Sequence, residues 1–361
     1  MKILILAMDC ADYQGKSHEL LVAEELVKMG NQITLVAERI PFGYDVHVPE
    51  NITFHVMNIN GDLTEEQYNL LMQEKQDICF ASSFPGAKHV NYIAKKTSSK
   101  SVSQCLDVPI FRLRFDHWRK QWEENVIELA KSDKIIANIK ITKELLCQLS
   151  KTDISKKIDI VYYGIASDNA DRIPEQEKDD YIVWVSGIRW YKNLEFLLFS
   201  MRCMDNPPKL KVIGIGDKTE WETNNIPFRL IQLANHLNLD VEFLGGLGDD
   251  QKFEIIKKAR LGVMCDISVS IATMFCLESV YCGTPCITGD FPVCRDRYGD
   301  TVIYVGDIYN TKAWADQIEE VLSEISHYTD ITRSKKQWIL ENRSFRSQAQ
   351  ELMKIFTEMI T

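Results

Sequence analysis

The sequence predicts an α/β protein with two doubly wound parallel-sheet domains that face a central cleft. Short apolar segments of strand length alternate with segments of helical periodicity along nearly all of its 361 residues, which is typical of parallel sheets covered by helices on both faces. The alternation stops at one polar segment, residues 167–180, and then starts again. A chain of this length is long enough for two separate cores.

The first predicted domain covers residues 1–166. Its strand-like segments are KILILAM, QITLVAE, ITFHVM, DICFASS, PIFRLR, DKIIAN and KIDIVYY. Gly15 precedes the first helical segment, SHELLVAEELVKMG, but the three-glycine fingerprint of dinucleotide-binding loops is missing, which disfavours NAD as a ligand. His117 follows PIFRLR, and it is expected either to donate a hydrogen bond to a ligand hydroxyl or to be a packed structural histidine.

The polar segment SDNADRIPEQEKDD, residues 167–180, has no periodic apolar positions and contains a proline, so it is predicted to be a linker. The second domain is predicted at residues 181–343, with strands in YIVWVSG, LKVIGIG, DVEFLGG, LGVMCD and TPCITGD. Residues 344–361 are predicted to form a helix that packs back on the first domain, because four apolar side chains share one of its faces: Leu352, Ile355, Phe356 and Met359.

The composition is that of a soluble globular protein, with 45% hydrophobic and 26% charged residues. No apolar run is long enough to cross a bilayer, and KILILA is too short for a signal peptide, so a cytoplasmic location is expected. The ten cysteines are scattered, which predicts reduced thiols. Four of them form a loose cluster without the paired CxxC spacing of a zinc site, and no metal is expected there: Cys276, Cys282, Cys286 and Cys294.

The charge is unevenly distributed. The net charge of -10 disfavours indiscriminate binding to polyanions. Residues 88–120 nevertheless contain eight Lys and Arg residues against two Asp residues. This stretch is either an ordinary solvated surface or a patch that faces an anionic acceptor, a phospholipid surface or nucleic acid.

Three segments of the second domain place polar or glycine residues directly after predicted strands. Gly187 ends YIVWVSG, and Arg189 and Lys192 follow it; two cations at this point suit a pyrophosphate that gains charge as it leaves a sugar, although such a lysine can also be merely solvated. In VIGIGD, Gly216 lets a ligand approach the backbone closely, and in FLGGLGDD the segment around Leu247 could clamp a base. Both segments can equally be plain turns.

The segment SIATMFCLESVYCGTPCITGD, residues 270–290, predicts a loop, a helix and a buried strand. Thr273 is expected to cap the helix, and the amides of Thr273 and Met274 are expected to attract phosphate. Glu278 is a carboxylate in an otherwise apolar turn, which is costly unless it is bound. Its partner is expected to be either ligand hydroxyls or a nearby Arg or Lys.

Four segments of the second domain carry a family resemblance, and in chain order they are VSGIRWYKN, VIGIGD, VEFLGGLGDDQKFEIIKKARLGVMCD and FCLESVYCGTPCI. Together they resemble the nucleotide-binding domain of GT-B fold glycosyltransferases of family 4, which are retaining enzymes with two Rossmann-like domains. The resemblance is specific from about residue 182 to residue 290. AKSDKIIANIKITKELL followed by IDIVYYGI is similar to the end of the family's acceptor domain.

The resemblance implies a role for each candidate. Arg189 and Lys192 would bind the donor pyrophosphate, Glu278 the ribose hydroxyls and Leu247 the base. Gly15 matches a glycine loop that faces the donor phosphate, and His117 matches a histidine that contacts the transferred sugar. Ser270 stands where the family usually has a glutamate that touches the donor sugar, and Ile271, Ala272 and Thr273 replace an adjacent Gly-Phe-Gly. The catalytic candidates are therefore His117, Arg189 and Lys192, and the donor-binding candidates are Gly15, Gly187, Gly216, Leu247, Ser270, Thr273, Met274 and Glu278.

These observations predict a retaining glycosyltransferase that moves a sugar from a UDP-sugar or GDP-sugar to an acceptor hydroxyl of a glycan or glycolipid, without a metal ion or another cofactor. The basic stretch 88–120 adds a possible peripheral contact with a membrane. Three alternatives stay open: a phage-type DNA glycosyltransferase that acts on a hydroxymethylated base, an inactive nucleotide-sugar binding protein suggested by Ser270, and a nucleotide-sugar epimerase.

Overall fold

The chain folds into two compact units, and each unit contains one parallel sheet. The computed structural model describes residues 1–9, 11–12, 15–39, 48–106, 108, 116–214, 226–267 and 273–361. Residues Met1–Gly164 and Asn342–Thr361 form the first unit, and Ile165–Glu341 form the second. The predicted fold class of two doubly wound parallel sheets is confirmed.

The first unit has a seven-stranded parallel sheet in the order β5-β4-β1-β6-β7-β8-β9. Its strands are β1 (Lys2–Asp9), β4 (Gln32–Arg39), β5 (Ile52–Val56), β6 (Ile78–Ala81), β7 (Lys100–Cys105), β8 (Lys134–Ala137) and β9 (Ile158–Ile160). A short antiparallel pair follows β1 and consists of β2 (Ala11–Asp12) and β3 (Gly15–Lys16). The helices are α1 (His18–Lys28), α2 (Glu65–Met72), α3 (Ala87–Thr97), α4 (Asp116–Ala130), α5 (Lys140–Leu149) and a C-terminal helix (Phe345–Ile360).

Strand β7 is not among the strands that the sequence predicts. Its sequence, KSVSQC, alternates poorly and contains serines, yet all but its first residue are buried. Hydrogen bonds satisfy its two serine side chains: Ser103 Oγ lies 2.7 Å from Ser132 Oγ, and the Ser101 hydroxyl donates to Asp133 Oδ2 at 3.3 Å. The predicted strand PIFRLR, residues 109–114, lies outside the described residues, which resume at the beginning of α4.

The C-terminal helix packs on α1 in the first unit. Ser344 caps this helix by accepting a hydrogen bond from the Ser347 amide at 3.0 Å. Leu352, Ile355 and Phe356 are buried in the same core as the strands β1 and β4 and the inner face of α1. Most of the apolar face that the periodicity defines is therefore inside this core.

The second unit has a six-stranded parallel sheet in the order β12-β11-β10-β13-β14-β15. Its strands are β10 (Tyr181–Val185), β11 (Lys209–Ile213), β12 (Val241–Gly245), β13 (Leu261–Met264), β14 (Cys286–Gly289) and β15 (Ile303–Val305). Its helices are α6 (Ser167–Arg172), α7 (Leu194–Arg202), α8 (Ile226–His236), α9 (Asp249–Lys258), α10 (Phe275–Tyr281), α11 (Pro292–Tyr298), α12 (Thr311–Ser323), α13 (Ile325–Ser334) and most of α14 (Lys336–Arg343), whose last two residues belong to the first unit.

Residues 167–180, for which the sequence predicts a linker, begin with α6 and belong to the second unit. Asp171 accepts hydrogen bonds from the Tyr281 hydroxyl at 2.6 Å and from Lys336 Nζ at 2.9 Å. These polar contacts fix the segment to the second unit. Because they involve no periodic apolar positions, the sequence pattern does not reveal them. Across the described residues, no helix is both long and apolar enough to span a bilayer.

Candidate functional site

The candidate residues of the second unit follow the carboxyl ends of its strands. Arg189 and Lys192 come after β10, Leu247 after β12, and Asp266 after β13, while Glu278 lies in α10, which leads into β14. Because all six strands are parallel, their carboxyl ends lie at one edge of the sheet, where ligands of doubly wound sheets bind.

Lys192 forms a buried ion pair. Its Nζ atom donates to Oδ2 of Asp266, and the two side chains are 10% and 6% exposed. Backbone bonds fasten the two segments independently of this pair, because the Ile267 amide donates to the Tyr191 carbonyl at 3.0 Å. Asp266 was not predicted from the sequence as a site residue, although its position directly after LGVMC could have indicated it.

Arg189 and Lys192 lie on either side of Tyr191 in the chain and both contact it. Arg189 is half-buried, and its Nη1 atom donates to the Tyr191 hydroxyl at 3.0 Å. The Nζ atom of Lys192 lies 5.4 Å from the centroid of the same ring. The structure thus brings the two predicted cations together around one aromatic side chain.

The loops after β10 and β11 touch through their backbones. A Cβ atom at Gly214 would lie 1.8 Å from the Ser186 carbonyl oxygen, and the φ angle of Gly214 is +151°. Only glycine fits this position. Gly187 follows Ser186 and is exposed to solvent. Gly216 lies outside the described residues.

Glu278 is buried and pairs with a lysine. Its Oε1 atom accepts a hydrogen bond from Lys252 Nζ at 3.1 Å, and Lys252 also contacts Asp249 at 2.9 Å. Asp249 accepts a further bond from the Asn169 amide at 2.6 Å. Burial alone would lower the pKa of Lys252, but the charges of Glu278 and Asp249 outweigh it and raise that pKa above its usual value.

This network realises the pairing with lysine that the sequence left open beside ligand hydroxyls. It also ties Glu278 to the first turn of α9, which directly follows the segment that contains Leu247. Lys252 was not predicted from the sequence. An i,i+3 spacing from Asp249 is common on helices and indicates no particular role.

The predicted cap of α10 is wrong. The helix begins at Phe275 after Met274 as the N-cap residue, and no side chain caps it. The Thr273 carbonyl instead accepts a hydrogen bond from the Tyr298 hydroxyl at 2.6 Å, and Arg297 Nη2 contacts Sδ of Met274. The end of α11 therefore supports the entry to α10.

Leu247 lines a depression of about 350 Å³ beside the exposed side of α9, together with Leu244, Gln251 and Ile255. Lys252 projects from the buried side of that helix. The depression that Leu247 lines and the Lys252–Glu278 pair therefore lie on different sides of α9.

The remaining candidates are placed as follows. Gly15 pairs with Asp12 in the short antiparallel pair of the first unit. His117 lies in the first turn of α4, but its side chain is outside the described part. Ser270 also lies outside it. Both first-unit candidates are thus placed by their backbones only.

The cysteines of the described segments form no disulfide, and these segments contain no group of three His, Cys, Asp or Glu side chains that could hold a metal ion. Burial raises the pKa of the Cys282 and Cys294 thiols to about 12, so both are protonated at neutral pH. In the basic stretch, Lys95 and Lys96 are exposed, whereas Lys88 pairs with Asp62 at 2.8 Å.

Two doubly wound parallel-sheet units are the architecture of the GT-B fold, and structures with that fold superpose on this chain. Residues 167–338 match the model of the family described as glycosyl transferases group 1. The matched residues lie within the second unit, Ile165–Glu341.

Solved structures share the fold over the whole chain. A glycosyltransferase from Rickettsia africae superposes with a TM-score of 0.77 at 14% identity, covering 100% of this chain and 99% of that one. HepE of Anabaena, in complex with UDP, has a TM-score of 0.76 at 12% identity over 99% and 100% of the two chains. Sucrose-phosphate synthase from Thermosynechococcus elongatus has a TM-score of 0.76 at 13% identity over 99% of each. None of the curated proteins matches the sequence.

Proposed function

We propose that this chain is a retaining glycosyltransferase that moves a sugar from a nucleotide diphosphate sugar to an acceptor hydroxyl, with a UDP-sugar as the first candidate. The observation that carries the proposal is the position of buried Glu278, held by Lys252, at the same sheet edge as Arg189 and Lys192. The group 1 match of the second unit supports it. HepE, which shares the fold, has been solved with UDP and with UDP-glucose.

The chemistry of these groups suits such a donor. Lys252 engages Oε1 of Glu278, and a carboxylate has further lone pairs with which it can accept hydrogen bonds from ribose hydroxyls. Arg189 and Lys192 supply positive charge for the diphosphate as it departs, and stabilisation of developing charge is usually the largest catalytic contribution. The family resemblance favours attack by the acceptor on the face that the diphosphate leaves, which retains the configuration.

Binding of the donor tests the proposal most directly. In a thermal-shift screen of UDP-, GDP- and ADP-sugars, at least one donor should raise the melting temperature, because it binds only the folded protein. Replacement Glu278→Gln should lower the affinity for that donor by about tenfold. Glu341→Gln is the matched control, since Glu341 is exposed in α14 and accepts a hydrogen bond from the Gln337 side chain at 2.7 Å. The absence of a shift with every donor, or equal affinities of the two variants, would refute the proposal.

Turnover separates a transferase from an inactive binding protein. Release of UDP or GDP from the bound donor, with or without an added acceptor, should be detectable and should be lost in Lys192→Ala. We expect it to persist in EDTA, because the proposed chemistry uses side-chain cations in place of a metal ion. Tight donor binding without any release of nucleotide would favour the inactive binding protein.

We further propose an acceptor at an anionic lipid surface, contacted through α3. Tyr92 is exposed there, and Lys96 Nζ lies 5.7 Å from the centroid of its ring, with Lys95 beside it. Such a face suits anionic headgroups. The double variant Lys95→Glu/Lys96→Glu should co-sediment less with phosphatidylglycerol vesicles than the wild type, whereas Lys75→Glu should not. Retention of duplex DNA in a gel shift, without vesicle binding, would favour a DNA acceptor.

A further inference from the structure

The buried pair of Lys192 and Asp266 is held by a framework that does not depend on its charges. Cys265 Sγ donates to the Asn193 carbonyl at 3.0 Å, and the Ile267 amide donates to the Tyr191 carbonyl at 3.0 Å. These bonds join the residues on both sides of Lys192 to the residues on both sides of Asp266. Removal of the carboxylate charge should therefore leave both segments in place.

We propose that Asp266 is a positioning residue for transfer. It orients the Lys192 ammonium toward the donor diphosphate, and it lowers the affinity of the site for the nucleotide diphosphate product. This inference rests on the proposed function. It concerns a residue to which neither the sequence motifs nor the family resemblance gives a role.

The positioning follows from the chemistry of lysine. An ammonium group has three N–H donors on a flexible stem, and free rotation of that stem costs entropy each time the group must meet a ligand. Asp266 engages one donor and fixes the direction of the others, while burial keeps water away from the pair. A preset cation is effective when charge develops on a departing diphosphate.

The lower affinity for the nucleotide product follows from the charge of the Asp266 carboxylate. Asp266 is 5% exposed, so solvent screens its charge poorly. A diphosphate bound to Lys192 would lie close to this second anion, and the repulsion lowers the affinity for the nucleotide product. Where product release limits turnover, such repulsion also speeds the cycle.

Replacement Asp266→Asn tests both effects, because asparagine keeps the shape and an acceptor oxygen but removes the charge. The dissociation constant for UDP, measured by calorimetry, should fall by about threefold or more as the repulsion is lost. The kcat for donor consumption should fall by about tenfold as Lys192 loses its orientation. A purely structural role would weaken UDP binding and lower kcat together, and this result or an unchanged kcat would overturn the inference.

The matched control is Asp180→Asn. Asp180 pairs with Arg260 at 2.7 Å in an exposed position before β10, and neither constant should change in this variant. If the wild type binds no nucleotide at all, the proposed function itself fails. If wild type and control bind UDP and Asp266→Asn has the same constants as they do, only the role of Asp266 is refuted.

A double variant covers the case in which Asp266→Asn does not fold. Loss of both charges of a buried pair is tolerated better than loss of one, so Lys192→Met/Asp266→Asn should fold. It should bind UDP more tightly than Lys192→Met alone, in which Asp266 keeps its charge without the lysine. Equal or weaker binding by the double variant would contradict the inference.

Discussion

The Nζ atom of Lys252 lies 3.1 Å from Oε1 of Glu278, and the two side chains are 5% and 10% exposed. The pair joins α9 to α10 across 26 positions of the chain. A second carboxylate, Asp249, contacts the same ammonium group at 2.9 Å. The buried Glu278 and the partly exposed Asp249 thus share one cation. The lysine stabilises the second unit, and it also fixes the carboxylate that is proposed to bind ribose.

Replacement Lys252→Met should destabilise the second unit by about 3–5 kcal/mol, because it leaves uncompensated negative charge in the interior. Urea unfolding followed by circular dichroism measures the loss as a lower midpoint. Lys258→Met is the control, since Lys258 pairs with Glu254 at the surface and its loss should change the midpoint little. Similar midpoints for the two variants would show that the buried pair contributes no more than a surface pair.

The stability of the first unit should fall between about pH 7 and pH 5 because of His89, which is fully buried. Nδ1 lies 2.7 Å from the Tyr68 hydroxyl, and Nε2 lies 3.1 Å from the carbonyls of Ile59 and Gly61, so the neutral ring accepts at one nitrogen and donates at the other. Burial lowers the pKa of His89, the charge of Lys88 acts in the same direction, and the carbonyl bonds oppose them.

The sign follows from proton binding. The unfolded chain takes up a proton near the usual histidine pKa of about 6.5, whereas the folded protein takes it up only at lower pH, so acidification favours unfolding over this interval. Urea midpoints measured across it should fall for the wild type and for His327→Gln, an exposed histidine. They should fall less for His89→Gln. An equal pH dependence in all three proteins would assign the effect to other groups.

The fold was predictable because periodicity records which residues face a core. Strands such as KILILAM are buried and apolar, and their alternation with helices is a property of the sequence alone. Strand β7 shows the limit of this signal. Its buried serines are compensated by hydrogen bonds to Ser132 and Asp133, which are about 30 positions away, and no local pattern reports such partners.

The site shows the same division. Arg189, Lys192 and Glu278 stand out as polar residues at strand ends or in an apolar helix, so the sequence could nominate them. Asp266 and Lys252 were missed because their importance lies in pairing with residues 74 and 26 positions away. The entry to α10 could not be read either, since Tyr298 approaches Thr273 from another helix.

Replacement Phe356→Ala should destabilise the first unit by about 3–5 kcal/mol, because a fully buried ring is lost from the core. The ring packs edge-on against Phe80 of β6, with 5.8 Å between the centroids. Ile360→Ala, in the last turn of the same helix, removes a side chain that is 44% exposed and should cost much less. Urea midpoints compare the two. Equal losses would mean that the C-terminal helix does not contribute to the core through this face.

Gly164→Ala should separate the start of the C-terminal helix from the segment that follows β9. A Cβ atom at Gly164 would lie 2.3 Å from the Phe345 amide nitrogen, and backbone atoms cannot yield as a flexible side chain can. The Gly164 amide also donates to Gln348 Oε1 at 2.8 Å, a bond that displacement would break. Overpacking of this kind costs about 1–3 kcal/mol, and the broken bond adds about 1 kcal/mol more.

Gly306→Ala is the control, because a Cβ atom there meets nothing within 4 Å. Hydrogen exchange should show earlier opening of the C-terminal helix in Gly164→Ala than in Gly306→Ala; equal protection would mean that the helix does not depend on this close approach.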